Sequence, residues 1–389
     1  MKLEGVYDGR VYGSRGRRVF EETADGQRIE RPRLPAPTSL VQRLATSRYG
    51  KRLLTAAVGR YLTTNVWRLT EDRWLASLGR TVYTARSGAR SWSESRSLPP
   101  SSGLRGLLPS SVCVHDGSVY LGEYPLDAAA SPRILRSDDY GESWTTVVEL
   151  PAVRHVHAIQ VDPYTGDLWV TTGDTDPQCQ IGRLVDGALE PVVSGSQRFR
   201  AVELAFTPEA ILWGVDCGYL PSNEILRLDR AELETPDPTP VVVGSVDSSV
   251  YEAVTMTVDD TTWVVFSTAS EAGTDQTAPE GTTGRGPRAR SAAQVVAASA
   301  ATDFTTWHQL HTFEPGHCLA DLPGFERVLP RASGYVFLDT DPERGLLVNP
   351  YNVTPGDGTV IEVPYDRFRA LRRADDGAAT AERRGLTVG

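Results

Sequence analysis

The chain has 389 residues, a net charge of −10 and 40% aliphatic and aromatic side chains, enough for one large globular domain or two ordinary ones. No apolar run approaches the roughly 20 residues that span a bilayer, and the opening MKLEGVYDGRVYG lacks the apolar core of a secretory signal, so a cytoplasmic location is expected. The acidic field repels polyanions and argues against nucleic acid as a partner.

Only Lys2 and Lys51 are lysines among the 40 basic residues. Such an acid-rich, arginine-dominated composition suits a salt-adapted organism or a G+C-rich genome. Cys113, Cys179, Cys217 and Cys318 stand far apart with no Cys-x-x-Cys pair. Neither a zinc site nor a disulfide framework is expected, and no cofactor or metal is indicated.

In chain order, RVYGSRGRRVFEETADGQRIERPRLP predicts two or three strands. Residues 38–62 then carry Leu40, Val41, Leu44, Leu53, Leu54, Ala57, Val58 and Tyr61 at helical spacing, with Ser39 and Gln42 as a capping box. Between Glu30 and Glu71 every charged residue is basic, including Arg43, Arg48, Lys51 and Arg52. Such a face suits peripheral contact with a membrane surface or docking of a lipid-linked glycan.

From there a repeat takes over. Trp74, Tyr120, Trp169, Trp213 and Trp263 occupy equivalent apolar strands, 46, 49, 44 and 50 residues apart, the size of one four-stranded propeller blade. Leu347 follows in the same role after a Gly/Thr/Pro/Arg-rich loop at 272–290. Five complete units fit between residues 62 and 313. Joining the first and last strands in one blade closes the ring without a free edge, so the expectation is an all-β, six-bladed β-propeller over residues 1–370. Seven blades follow if each end forms its own. A disordered tail is expected from 371 to 389.

A second register is set by Trp92, Trp144 and Trp307, each opening a short strand after a polar turn. The complete copy is Ser137-Asp138-Asp139-Tyr140-Gly141-Glu142-Ser143-Trp144. Ser137 and Asp139 can bond the turn amides, and Gly141 can take positive φ. The pattern Ser137, Asp139, Gly141, Trp144 matches the Asp box, or BNR repeat, and resembles the sialidase-type β-propeller superfamily. The resemblance implies a propeller, places the box between the third and fourth strands of a blade, and gives it a structural role.

In a propeller, the starts of innermost strands and the ends of second strands share one face. Those positions hold Arg154, His155, His157, Arg200, Glu203, Tyr251, Glu252, Glu123, Tyr124, Asp174, Asp216, Tyr219, Asn349 and Tyr351. Carboxylates, arginines, histidines and tyrosines in a concave site suit polar sugars and acid/base chemistry. The leading expectation is a glycan-active enzyme acting on an acidic sugar in surface polysaccharide or glycoprotein glycan assembly. Arg154 and Arg200 would hold a carboxylate, and acid and base would come from Asp174, Glu203 and Asp216, giving glycoside hydrolysis. Epimerisation or elimination beside a uronate, with His155 or His157 as base, is the alternative chemistry. A non-catalytic glycan-binding or scaffold propeller is the alternative class. The partner is an acidic oligosaccharide or lipid-linked glycan, and the oligomeric state is not indicated.

Overall fold

The structure, a computed structural model, describes residues 1–23, 26–37, 43, 46, 63–102, 106–127, 129–271, 291–316 and 332–385. Among the described residues seven antiparallel sheets follow one another along the chain, spanning residues 2–30, 64–97, 112–149, 155–194, 204–246, 250–315 and 335–363, with the short strand Val353–Thr354 from the last stretch added to the edge of the sixth sheet. Within each, strands pair in sequence order, and the first strands of neighbouring sheets pack against one another around an axis. Among the described residues the chain forms an all-β propeller of seven blades with a long α-helix, Tyr365–Gly385.

The repeat that announces the blades is a burial pattern. Each Trp-bearing second strand is sandwiched between neighbouring blades. Leu168–Gly173 is buried at every position, as is Ala210–Gly214, and Trp169, Trp213 and Trp263 are among the largest fully enclosed side chains. The outer strands, such as Ser93–Ser97 and Thr145–Glu149, are short and polar and meet solvent.

The expected count of six blades is corrected to seven. The N-terminal residues complete a four-stranded sheet, because the short exposed strand Arg28–Glu30 pairs with Arg18–Glu22. All three residues of that strand are exposed, so no apolar alternation marks it in the sequence. The C-terminal residues form a separate three-stranded sheet from Tyr335–Asp341, Gly345–Tyr351 and Ile361–Val363. Side chains join these two blades. Asn349 Oδ1 accepts the Leu3 amide at 2.7 Å and Asn349 Nδ2 donates to the Met1 carbonyl at 3.0 Å, while Asp339 Oδ2 accepts the Val6 amide at 2.7 Å.

The turn at 137–144 lies between strands Arg133–Ser137 and Thr145–Glu149, the third and fourth of blade three. Ser137 Oγ accepts the Gly141 amide at 2.6 Å, and Asp139 accepts the Ser143 amide and hydroxyl at 2.8 and 2.6 Å. Burial works against ionisation of Asp139, but the Ser143 and Ser137 bonds outweigh it and hold its pKa down at about 2. Gly141 has φ +88°, and a Cβ there would stand 2.7 Å from Leu75 Cδ1 of blade two.

The tail expected to be disordered from 371 begins within a helix, Tyr365–Gly385. Phe368 is fully buried and meets Trp263 edge-on at 5.3 Å. Tyr365 donates its hydroxyl to the Asp341 carbonyl, and His308 meets Asp375 at 3.0 Å. These contacts, with Leu371 packed on the same core and an Arg369–Asp259 ion pair at 2.8 Å, hold that helix against blades six and seven. Of the expected basic helical insertion at 38–62, only Arg43 and Thr46 fall among the described residues, and the 272–290 loop lies outside them.

Candidate functional site

The expected site residues divide into two groups. The first gathers on one face of blades four and five around Asp174, which ends a second strand beside the start of the innermost strand His155–Val161. Asp174 Oδ2 accepts from Arg154 Nη1 at 2.8 Å and from His155 Nε2 at 2.7 Å. Its Oδ1 faces Arg200 Nη2 at 3.3 Å and His157 Nε2 at 3.8 Å. Arg200 also reaches Asp216, at 3.7 Å. A β-bulge at His157 turns both imidazoles toward the same carboxylate. Gly173 makes room for them, since a Cβ there would lie 3.0 Å from His157 Cε1.

Asp174 is almost wholly enclosed. Burial alone would raise its pKa, but the two histidines and the arginines overcome that and keep the carboxyl ionised far below its usual range. Burial pushes the His155 pKa down, against the pull of Asp174. Neutral His155 therefore gives its Nε2–H to Asp174 and leaves Nδ1, which has no hydrogen-bond partner among the described residues. His157 Nδ1 donates to the Ala201 carbonyl at 3.0 Å. Tyr124 lies flat on His155, ring centroids 4.0 Å apart and planes 6° from parallel. The arginines expected to grip a substrate carboxylate thus already share Asp174.

The second group lines an axial pocket of about 160 Å³. Glu4, Glu203, Glu252 and Asp339 reach it from blades one, five, six and seven, with Lys2, Trp67 and Phe337. Lys2 Nζ spends its three donors on Glu4 at 2.8 Å, Asn65 Oδ1 at 2.8 Å and the Thr64 carbonyl at 3.1 Å, and it sits over the Phe337 ring. Glu4 is offset by Lys2 at 2.8 Å, whereas among the described residues Glu203, Glu252 and Asp339 form no ion pair. Glu203 Oε2 accepts the Ala253 amide at 2.7 Å.

Burial pushes the carboxyl groups of this pocket up. Glu203 rises to about 7 and Asp339 to about 6, and Glu252 is held well above its ordinary value by burial and then by repulsion from Glu203. Bulges beside Glu4 and Tyr251 in the innermost strands parallel the one at His157. Lys2, Glu4, Trp67 and Asp339 were missed in sequence, because the N-terminal strand was assigned to a shared blade and Asp339 looks like a turn residue.

The remaining expected residues lie around these groups. Glu123 forms a bidentate ion pair with Arg133, at 2.7 and 2.9 Å. Asn349 joins blades seven and one, and Tyr251 and Tyr351 belong to the apolar cluster on the axis with Tyr124 and Phe337. Tyr219 packs at the edge of the core between blades four and five. Among the described residues no group of three His, Cys, Asp or Glu side chains is placed to hold a metal ion, and no helix is long and apolar enough to cross a membrane.

No protein-family model and no curated protein matches the chain. Among solved structures it is similar in part to a calcium-binding protein, regucalcin, from Agrobacterium tumefaciens. The two share 11% identity over 69% of this chain and 82% of that one, with a TM-score of 0.40. The propeller itself rests on the sheet topology.

Proposed function

We propose that this propeller is a carbohydrate-active, hydrolase-like enzyme that takes one sugar ring in the axial pocket and uses Glu203 and Glu252 as its acid/base pair. The observation that carries the reading is that these two carboxyl groups share one small pocket and oppose each other's ionisation. Two such groups titrate as a unit, one holding a proton near neutral pH while the other is a carboxylate. That is the pairing glycoside hydrolysis needs: an acid to protonate the departing oxygen, and a carboxylate to activate water or attack the sugar carbon.

Size and lining support the same ligand class. A cavity of about 150 Å³ accommodates benzene, so 160 Å³ suits a single six-membered ring. Carboxylates accept hydrogen bonds from ring hydroxyls, and Trp67 and Phe337 supply apolar surface. With Lys2 fully engaged, the ring held here is uncharged at the positions it presents to the acids. An oligosaccharide carrying its acidic groups away from that ring, free or lipid-linked, fits this charge distribution.

The test is calorimetry and product analysis with aryl glycosides and neutral and acidic oligosaccharides. Glu203→Gln or Glu252→Gln should leave binding within a few-fold and lower turnover by about 10²-fold or more. If the parent protein transforms no member of the panel, the enzyme reading fails and a glycan-binding or scaffold propeller takes its place.

A further inference from the structure

Among the described residues two aromatic side chains line the axial pocket, Trp67 and Phe337, and they differ in what already covers them. Phe337 is 5% exposed. Lys2 Nζ stands over its ring at 4.8 Å, and Tyr335 and Tyr351 pack around it with centroids at 6.3 and 5.7 Å. Trp67 is only partly buried, and among the described residues no other aromatic ring or cation lies over its indole.

Trp67 is also fixed in place. Asn65 and Trp67 are two positions apart on the innermost strand Thr64–Arg68 and so share one side of it. Asn65 Nδ2 donates to the Leu107 carbonyl at 3.0 Å, and Trp67 Nε1 donates to the Pro109 carbonyl at 2.7 Å, again two positions apart. Apolar contact with the core shared by blades two and three, which includes Leu69, Leu75, Leu107 and Val112, supports the same indole. A large flat ring held by packing and by one hydrogen bond, on the wall of a pocket, is preorganised to receive a flat ligand.

The carboxylates of the pocket accept hydrogen bonds from hydroxyls but do not by themselves tell a ring from an open chain. A pyranose carries its hydroxyls at the rim and C–H bonds on its faces. The partly positive C–H hydrogens complement the negative face of an aromatic ring. We infer that Trp67 is the specificity-determining residue of the axial site: the sugar ring lies flat on the indole while its hydroxyls turn to the carboxylates. The inference rests on the proposed function and adds the ligand class to it, a pyranose with a face of C–H bonds as against an open-chain polyol.

The experiment is calorimetric and tryptophan-fluorescence titration of the parent, Trp67→Phe and Trp67→Leu with methyl β-glucoside, methyl β-galactoside and methyl β-mannoside. Glucitol, which offers hydroxyls but no ring face, is the comparison. At least one hexoside should bind the parent saturably and change its fluorescence, and glucitol should not bind. Trp67→Leu should weaken hexoside binding about 10-fold, whereas Trp67→Phe, which keeps an aromatic face, should stay within about 3-fold of the parent. The fluorescence response should vanish in Trp67→Phe, a readout that holds even if the leucine variant fails to fold. For any aryl glycoside that is hydrolysed, Trp67→Leu should raise KM and leave kcat nearly unchanged, the sign of lost binding alone. Hexoside binding that is as tight in Trp67→Leu as in the parent overturns the inference. So does a fluorescence response that persists in Trp67→Phe, or glucitol bound as tightly as the hexosides. Hydrolysis that is indifferent to Trp67 overturns this inference and leaves the proposed enzyme standing. Binding on Trp67 with nothing hydrolysed overturns only the enzyme, and a parent that binds no hexoside overturns both.

Discussion

Trp144 of blade three donates its indole N–H to Ser95 Oγ of blade two, 2.9 Å away. The same relation recurs at the other two tryptophans that precede a fourth strand. Trp92 of blade two reaches the Pro32 carbonyl behind blade one at 2.8 Å, and Trp307 of blade six reaches the Val243 carbonyl of blade five at 3.0 Å. The tryptophan is therefore retained as a tie to the preceding blade even where the Asp or Gly of the turn is missing. Trp144 is half-buried, so Trp144→Ala should cost about 2–4 kcal/mol, somewhat below a fully enclosed Trp. Trp144→Phe should lose about 1 kcal/mol with the hydrogen bond alone. Denaturant titration measures both, and sugar binding should not change.

Asp139 acts within its own turn. Asp139→Ala should cost about 1–3 kcal/mol by leaving the Ser143 amide and hydroxyl without their acceptor. The folded-state pKa is depressed to about 2, so the contribution is complete above the ordinary carboxylate value and is lost as pH falls through about 2. Parent and variant melting curves should converge in that acid range.

Glu203 gives the opposite sign. Its folded-state pKa is raised to about 7, so the folded protein binds the proton more tightly than the unfolded chain, and stability declines as pH rises from about 4.5 to 7. Glu203→Gln should therefore stabilise the protein at pH 8, by on the order of 2 kcal/mol, and have little effect at pH 4. Thermal denaturation across this range checks it. A variant less stable than the parent at pH 8 would show that the ionised carboxylate is not penalised.

Lys2 compensates Glu4 inside the axial pocket. Lys2→Met should cost about 3–5 kcal/mol, because an enclosed carboxylate loses its counter-charge. Adding Glu4→Gln should recover most of that loss. A double-mutant cycle at neutral pH measures the coupling.

Asp174 should prove structural. Asp174→Asn leaves Arg154 and Arg200 without their shared anion, at a cost of about 3–5 kcal/mol. His155 would also lose the partner that raises its pKa, so an NMR titration should find its pKa lower in the variant than in the parent. In whatever fraction still folds, axial-pocket chemistry should persist.

Much of the fold was legible because blade periodicity is a burial signal. Second strands must be apolar on both faces, and their tryptophans mark the repeat in the sequence itself. The blade count was less legible, since Arg28–Glu30 is a fully exposed three-residue strand with no apolar alternation to reveal it. In the candidate site, position along the strand correctly brought His155, His157, Arg154, Arg200 and Asp174 to one place. It could not show that the cations there already neutralise Asp174, because pairing across blades depends on side-chain reach. Lys2 and Glu4 were missed for a related reason: their significance comes from Asn65, Glu252 and Asp339, residues far away in the chain.

The junction between the first and last blades has a consequence for the order in which the molecule can be finished. Blades two to five, and the first four strands of blade six, draw their ladders from nearby sequence, so they can form while later residues are still being synthesised. Leu3, in contrast, meets Asn349 across 346 positions and Val6 meets Asp339 across 333. Among the described residues no shared ladder aligns the first and seventh blades, so loop-closure entropy must be met by a few side-chain bonds and the apolar axis. The innermost strand of blade one thus waits longest for its neighbour among the seven blades, with Lys2 and Glu4 exposed to water until the seventh blade arrives to enclose them.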